Sequence, residues 1–418
     1  MGDLIGLLGI VLLLGIAWLF SEHRRQVQWQ TLGVGLALQL ALAIFVLWVP
    51  FGKTVFETLG AGFVKLVGFT QAGSSFIFGD LANADEFGFI VAFQVLPTII
   101  FFASLMACLY HLGIMQKVVE LMARVMVRFM KVSGSESLAT AANCFVGQTE
   151  APLVVRPFIN GMTRSELFAL MTGGMATIAG GVLAAYVLLL GGTDPATQAF
   201  YAKHLISASI MAAPAALVVA KLILPEREPS ETMGLVKTTV KREHTNLIEA
   251  AAGGASEGLK LALNVGAMLL AFLALIALIN WPLGWLGEIT GLEALAGQPI
   301  ELALILGWIC APLAFIVGVP LDEAVTVGGL IGQKVVANEF VAYVALTDIQ
   351  DQLSDRAVLI STYALCGFAN FSSIAIQIGG IGSLAPERRP ELAQLGLKAI
   401  LGGTIVSLLN AAWAGILI

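Results

Sequence analysis

Apolar runs of about 20 residues recur along the whole chain, each bounded by short polar segments. A helix of that length crosses the hydrocarbon core of a bilayer, which is roughly 30 Å thick. Asp, Glu, Lys and Arg together make up only 12% of the 418 residues, about half the share that solvates the surface of a soluble domain. The sequence therefore predicts an all-α polytopic membrane protein.

Eight of the runs predict transmembrane helices. They cover residues 4–20, 31–49, 89–112, 166–190, 203–224, 258–281, 357–383 and 396–417. We expect the first run to be retained as a span, because the segment before it is acidic and no small-residue cleavage site follows it. Two further apolar stretches, 135–160 and 302–345, are each interrupted by a polar segment that contains proline.

The distribution of basic residues predicts how these two stretches are placed, because Lys and Arg concentrate in short cytoplasmic loops. The basic loops are 21–30, 113–134, 225–247 and 384–398, whereas the loops predicted to lie outside are 191–202, 282–301 and 346–356. This arrangement requires each stretch to enter and leave on one face. We therefore predict two opposed re-entrant hairpins and place both termini outside. Lys53 and Lys65 break the charge rule, so we expect segment 50–88 to lie at the membrane interface.

The two halves of the chain repeat one order of elements: a hairpin, a span interrupted by small or polar residues, and a final span. The interruptions are 177–181 and 367–373, and the hairpin tips 145–151 and 316–324 are also similar. This order predicts an inverted repeat, which brings non-helical backbone to the bilayer midplane, where a substrate and an ion bind. The predicted parts are N-terminal scaffold spans (1–112), a first repeat (113–224), a loop with a long scaffold span (225–301) and a second repeat (302–418).

Two carboxylates, Glu150 and Glu339, lie within the predicted hairpins. An ionisable group at this depth costs at least a few kcal/mol and by default marks a functional site. The alternative interpretations are that Glu150 lies at a wet rim and that Lys334 merely neutralises Glu339. Neutral polar residues at the same interruptions either satisfy broken backbone or contact a ligand. They are Asn143, Gln148, Thr149, Asn370 and Ser373.

This set of side chains predicts a neutral substrate. The nearest basic residues, Arg156 and Lys334, lie outside the interruption motifs. The motifs therefore contain no cationic side chain that could bind a phosphate or a dicarboxylate. Val182, Phe368 and Phe371 are candidates for the wall of a flat ring, with ordinary packing as the alternative. A sugar joined to a base fits this mixture of groups.

Other classes of function are disfavoured. The net charge is −6 and the sequence has no long basic run, so it predicts no basic surface that would bind nucleic acid. The four Cys and four His are scattered, without the spacing of a metal or redox site, so we expect no cofactor. A membrane-embedded hydrolase is the alternative from another class, but the chain has no H-E-x-x-H motif and no paired aspartates on facing spans.

Three motifs of this sequence resemble the signatures of one family. They are GQTEAP at 147–152, GQKVVANEFVAY at 332–343 and GFANFSS at 367–373. The chain resembles the concentrative nucleoside transporters from its first span to its last, and is nearest to the bacterial, sodium-coupled members. The resemblance implies a homotrimer of eight-span protomers with two opposed hairpins in the bacterial inner membrane, and a nucleoside such as uridine as the substrate.

The resemblance also implies roles for individual residues. The groups that bind the base are Gln148, Thr149, Glu150 and Val182. The groups that bind the ribose are Glu339, Asn370 and Ser373, with Phe368 beside the sugar. The sodium ligands are Asn143, Val146, Thr177 and Ile178, largely through main-chain carbonyls. A carboxylate accepts two hydrogen bonds from a vicinal diol, and carbonyls at helix C-termini suit a hard cation.

These roles imply sodium-driven symport by alternating access. Sodium completes the nucleoside site, so each ligand raises the affinity for the other. Proton coupling through Glu150 or Glu339 is the alternative, because intramembrane carboxylates also carry protons.

Overall fold

The computed structural model describes residues 2–234 and 244–418, and every regular element within them is helical, which confirms the all-α prediction. Part of the predicted cytoplasmic loop 225–247 lies outside these residues. The first α-helices are α1 (Gly2–Leu19), α2 (Trp29–Leu47), α3 (Pro50–Phe78), α4 (Ala84–Phe87), α5 (Val91–Gln94), α6 (Leu96–His111), α7 (Ile114–Met130), α8 (Gly134–Asn143), α9 (Ala151–Val154), α10 (Arg164–Ala176), α11 (Gly180–Gly191) and α12 (Pro195–Ile223). The later ones are α13 (Leu247–Thr290), α14 (Leu292–Ala296), α15 (Leu302–Ile316), α16 (Ala324–Val336), α17 (Glu339–Ile349), α18 (Asp355–Leu365), α19 (Phe371–Leu384) and α20 (Arg389–Leu417).

Six stretches of the described residues are helical, long and apolar enough to cross a bilayer. They are Trp29–Leu47, Val91–His111, Arg164–Gly191, Pro195–Ile223, Leu247–Thr290 and Pro386–Leu417. The other two predicted spans appear as a shorter apolar helix, Leu4–Leu19, and as the interrupted pair α18 and α19. The number of crossings and the re-entrant character of the hairpins stay predictions.

Polar side chains cap the N-termini of seven of the described helices. The first four N–H groups of a helix lack partners within it, and a side-chain oxygen at the N-cap accepts from one of them. In α8 the Ser133 N–H donates to the Glu136 carboxylate at 2.8 Å while Glu136 N–H donates back to Ser133 Oγ at 3.5 Å, and Thr163 with Glu166 does the same for α10. The N-caps of later helices are Asp194, Asn246, Asn338, Ser354 and Asn370.

Both predicted interruptions are breaks between helices. α10 ends at Ala176 and α11 begins at Gly180, with Thr177 in extended backbone. α18 ends at Leu365 and α19 begins at Phe371. The second break contains Gly367 at a φ of +152°, a conformation that favours glycine.

The segment 302–345 contains three helices where the sequence predicted one hairpin. α15 and α16 pack along each other around the turn 317–323, where Leu321 is 73% exposed and the Glu323 carboxylate accepts from Ser354. The chain then reverses again at Ala337–Asn338, which is buried, and continues as α17. Proline and acidic residues made 316–324 resemble a tip. Only Leu321 and Asp322 are exposed in this turn, whereas Val317, Val319 and Ala324 are buried.

Spacing along the chain relates the buried turn to the first hairpin. Gln148 precedes the first break at Thr177 by 29 residues, and Asn338 precedes the second break at Cys366 by 28 residues. By this spacing the turn Ala337–Asn338, between α16 and α17, corresponds to the first hairpin tip, which is a different pairing from that of 145–151 with 316–324. The repeat itself stays a prediction.

Burial is divided unequally among the apolar helices. α12 is central. Of its most apolar stretch of 18 residues, 89% is buried, and the helix packs against α2, α3, α10, α11 and α20. In α13 only 11% of the most apolar 18-residue stretch is buried by the rest of the chain. Lipid or other copies of the chain must therefore cover α13 in the membrane.

Charges at one end of the bundle form a buried network. The Lys221 ammonium lies 2.8 Å from the Glu136 carboxylate and 3.1 Å from that of Glu226, and it also donates to Ser165 Oγ. These contacts tie α8 to α12, to the start of α10 and to the segment that follows α12. Buried ions need such partners, since removing one leaves an uncompensated charge.

Gly328 brings the backbones of α15 and α16 together. A Cβ atom at this position would lie 2.6 Å from Ala311 N and 2.8 Å from Gly307 O, both of which are backbone atoms. We expect Gly328→Ala to lower the free energy of unfolding by about 1–3 kcal/mol because the helices must separate. Gly284→Ala on α13 meets no atom within 4 Å and should be neutral or stabilising. Thermal unfolding in detergent measures both, and equal melting temperatures would contradict this packing.

Lys221→Met tests the buried charge network. Loss of the ammonium leaves Glu136 buried without its cation, so we expect the free energy of unfolding to fall by about 3–5 kcal/mol. The matched control is Lys203→Met, which breaks the ion pair with Glu57, whose side chain is 60% exposed, and should cost at most about 1 kcal/mol. Denaturant titration of the two variants gives the comparison.

Candidate functional site

The first hairpin tip and the two helix breaks meet inside the protein. Phe368 N–H, in the second break, donates to Thr177 O in the first break at 3.3 Å. Gly180 N–H donates to Phe145 O at the hairpin tip at 3.0 Å. A Cβ atom on Gly367 would lie 3.0 Å from Met175 O, so the glycine permits this close approach of the two broken helices. Main chain from both helix breaks is thus in direct contact.

Glu339, at the start of α17, is 5% exposed and has two neutral donors. Tyr186 OH on α11 donates to Oε1 at 2.7 Å, and Asn370 Nδ2 donates to Oε2 at 3.1 Å. A carboxylate accepts about four hydrogen bonds. Glu339 therefore keeps acceptor capacity for the hydroxyl groups of a ligand.

Lys334 does not neutralise Glu339 by a direct ion pair. Its ammonium donates to Ala364 O at 2.8 Å and to Ser407 Oγ at 2.9 Å. Both acceptors are neutral, and together they bind α16 to α18 and α20. The two charged groups are therefore not in direct contact, and the alternative that Lys334 neutralises Glu339 stays a prediction.

Gln148 connects the first hairpin to α19. Its Nε2 donates to Ser373 Oγ at 3.0 Å, and its Oε1 accepts from Gln377 Nε2, also at 3.0 Å. Ser373 N–H in turn donates to Asn370 Oδ1 at 2.9 Å, which caps α19. A continuous chain of polar contacts thus runs from Gln148 through Ser373 and Asn370 to Glu339.

The remaining residues expected at the substrate site differ in how deeply they are buried. Thr149 lies against α19, where a Cβ on Gly380 would be 3.0 Å from its methyl group. Glu150 is exposed by its solvent-accessible area, and its carboxylate lies over Gly147. The apolar candidates are Val182, which is buried, Phe368, which is partly buried, and Phe371, which is 51% exposed.

The expected sodium ligands surround the first break. Asn143 is 1% exposed, and neither its Oδ1 nor its Nδ2 has a hydrogen-bond partner within the described part of the chain. Thr177 and Ile178 are buried beside the hairpin tip, and Thr177 Oγ1 donates to Gly173 O at 3.0 Å. An unpaired buried amide costs about 1–3 kcal/mol, so Asn143 fits a site that a cation completes.

The donor set suits a monovalent cation. Residues 2–234 and 244–418 contain no cluster of three or more His, Cys, Asp and Glu side chains that could hold a metal ion. Neutral amide, hydroxyl and carbonyl oxygens surround the break instead. A hard cation with one charge matches such neutral oxygens.

A nucleophile motif in the chain has no catalytic geometry. Residues 254–258 read G-x-S-x-G, but they lie in the middle of α13 rather than at a strand-to-helix turn. The Ser256 hydroxyl donates to Ala252 O within the same helix. This serine is an ordinary helix residue.

Two residues of the polar chain were missed by reasoning from the sequence. Tyr186 is the one polar side chain of α11, and Gln377 is the one amide of α19; their partners lie 153 and 229 residues away. An isolated polar group within an apolar span was the available signal, because such a group needs a partner inside the protein.

Comparison with known families identifies the chain. Residues 204–415 match the profile described as Na+ dependent nucleoside transporter C-terminus, and residues 8–81 match the corresponding N-terminus profile. Residues 92–193 match a profile described as Nucleoside recognition. The chain belongs to the concentrative nucleoside transporter family. The resemblance seen in its motifs is thereby confirmed.

Individual relatives agree with this membership. Nucleoside permease NupC of Helicobacter pylori is 41% identical over 100% of this chain and 98% of its own length. An uncharacterized transporter of Bacillus subtilis, YutK, is 47% identical over the full length of both. Rat sodium/nucleoside cotransporter 1 is 43% identical over 99% of this chain, which spans 64% of the rat protein.

Solved structures of CNTnw share the fold. Its inward-facing, substrate-bound structure is 43% identical and superimposes with a TM-score of 0.90 over 100% of this chain and 98% of that chain. An outward-facing structure of a CNTnw variant gives a TM-score of 0.92 at 42% identity, with the same coverage. This family member is an integral membrane protein that transports nucleosides, and it is not an enzyme.

Tyr186→Phe tests the role of the phenol that holds Glu339. The variant keeps the ring but removes the donor at 2.7 Å, so we expect uridine to bind roughly tenfold more weakly because the carboxylate is less well oriented. Tyr201→Phe is the matched control, since it removes a phenol hydrogen bond to Gln350, which is not among the residues expected to bind the substrate. Equilibrium binding of radiolabelled uridine to purified protein measures both. Equal affinities in the two variants would contradict this role.

Proposed function

We propose that this chain is a sodium-coupled symporter of uridine-like nucleosides that works by alternating access. The observation that carries the proposal is the polar chain from Gln148 to Glu339, buried where the two helix breaks meet. It joins groups of both repeats, so closing the site around a ligand requires both repeats at once. A nucleoside presents a sugar and a base, which match the two ends of this chain.

The proposed ribose site lies at the Glu339 end. Glu339 accepts hydrogen bonds from the vicinal hydroxyls, Asn370 and Ser373 supply neutral partners, and Phe368 packs beside the sugar. An analogue that lacks one hydroxyl leaves a buried acceptor unpaired, which costs about 1–3 kcal/mol. The free acceptor capacity of Glu339 supports this assignment.

The proposed base site lies at the Gln148 end. Gln148 and Thr149 lie on the first hairpin tip, Val182 is on α11 behind the first break, and Glu150 lies at the mouth. An amide both donates and accepts, as the edge of a pyrimidine does.

Sodium is proposed to bind at Asn143, Val146, Thr177 and Ile178. The support for this site is the buried, unpartnered amide of Asn143 beside the end of α10, where helix carbonyls carry partial negative charge. Sodium at this point joins the first hairpin tip to the first break. The hairpin also carries Gln148, so ion binding orders part of the nucleoside site.

Two further features belong to the proposal. CNTnw has been solved in inward-facing and outward-facing states, and this chain superimposes on both, which supports alternating access within one fold. The exposed apolar surface of α13 supports a place in the membrane, and membership of the family supports assembly as a homotrimer in the bacterial inner membrane. Proton coupling through Glu339 is the competing mechanism, because this carboxylate is buried among neutral groups.

Transport by proteoliposomes separates these mechanisms. We expect unchanged radiolabelled uridine to accumulate only under an inward sodium gradient, and not when choline replaces sodium under an inward proton gradient. Asn143→Ala should raise the sodium concentration for half-maximal uptake at least about tenfold, because it removes a side-chain ligand. Asn160→Ala, at an exposed position, is the control. Accumulation driven by protons alone would refute sodium coupling.

A further inference from the structure

A lysine lies fully buried beside the second helix break. Lys334, in the last turn of α16, is 0% exposed, and both acceptors of its ammonium, Ala364 O and Ser407 Oγ, are neutral. Taking an ammonium out of water costs several kcal/mol unless its surroundings compensate. Such a charge is therefore a candidate for a function in transport.

The surroundings of the ammonium are the end of a helix. Ala364 O belongs to the last turn of α18. The Ser407 hydroxyl lies 3.2 Å from Cys366 O, the first carbonyl after α18, and 3.1 Å from Gly403 O on its own helix. The last carbonyls of a helix have no partners within it and together carry roughly half a negative charge. Lys334 thus compensates the negative end of α18 directly, through the Ala364 carbonyl.

The first repeat has the same arrangement of elements around its proposed ion site. There, the end of α8 supplies Asn143 and the end of α10 leads into Thr177. In the second repeat the end of α16 supplies Lys334 and the end of α18 leads into Cys366. The separations along the chain are 34 and 32 residues. Lys334 and Asn143 therefore approach corresponding helix ends.

We propose that the Lys334 ammonium is a covalently attached cation that takes, in the second repeat, the place that sodium takes in the first. It is a positioning residue: it holds the turn Ala337–Asn338 against α18, and this turn carries Glu339 into the site. The location of sodium rests on the proposed function, whereas the buried ammonium and its acceptors are observed independently.

This assignment makes the two repeats functionally different. The second repeat always contains its cation, so Glu339 stays in position whether or not sodium is bound. The first repeat is completed only when an ion arrives, so the base-binding hairpin alone responds to sodium. The second repeat thus supplies a ribose-binding half of the site that is always formed, and the first repeat supplies a base-binding half that forms only when sodium binds.

Two substitutions of Lys334 separate charge from packing. Lys334→Met fills nearly the same space without charge, whereas Lys334→Ala leaves room for an ion among the same acceptors. At about 10 mM sodium we expect both variants to bind uridine at least about tenfold more weakly than the native protein. At about 500 mM sodium, with choline keeping the ionic strength the same in both conditions, we expect uridine affinity to rise at least about threefold more in Lys334→Ala than in Lys334→Met.

Two outcomes of these measurements would contradict the proposal. Uridine affinity of Lys334→Met within about twofold of the native value would show that the charge is dispensable. Identical sodium responses of the two Lys334 variants would show that no cation site exists there. Either result overturns the proposal. Lys65→Met, which removes an exposed charge on α3, should behave as the native protein in both measurements.

Ser407→Ala provides a second route if the Lys334 variants do not fold. It keeps the ammonium but removes one acceptor and the link to Cys366 O. We expect uridine affinity to fall about threefold to tenfold, while the factor by which sodium raises that affinity stays native. Unchanged uridine affinity would contradict the proposal. Native uridine binding that ignores sodium would instead refute the proposed coupling ion, and the Lys334 comparison would remain decisive.

Discussion

The structure depends on satisfying main-chain groups where two helices are broken inside an apolar protein. A buried N–H or C=O without a partner costs about as much as a lost hydrogen bond, and lipid offers no water to replace it. The two breaks supply partners to each other, as Phe368 N–H does for Thr177 O. Glycine at 367 allows the backbones to approach closely enough for this. The breaks must therefore lie side by side.

The same requirement explains why the polar side chains lie where they do. Asn370 caps α19 and also donates to Glu339, and Ser373 donates its N–H to Asn370 and accepts from Gln148. Each group thus serves the backbone on one side and remains available to a ligand on the other. A binding site built in this way needs few residues beyond those that the broken helices already require.

Charge is handled differently at the end of the bundle and at its centre. Lys221 lies among carboxylates, which compensate it directly. Lys334 has only neutral acceptors, and the end of α18 supplies the compensating partial charge. Glu339 likewise has neutral donors, Tyr186 and Asn370, and keeps its charge available for a substrate. The centre therefore holds charges that pair with helix ends and hydroxyl groups.

The sequence by itself determined the all-helical membrane class, the positions of both breaks and the family. Those features are local: the length of an apolar run, a cluster of small and polar residues, and a contiguous motif such as 332–343. Only the tertiary structure decided that Tyr186 meets Glu339, that Gln377 meets Gln148, and that the second buried turn lies at 337–338. It also decided that Glu150 is exposed. The physical reason is that helices apolar on all sides carry no periodic signal for the face turned inward, so only packing sets their rotation and hence the partners of their polar residues.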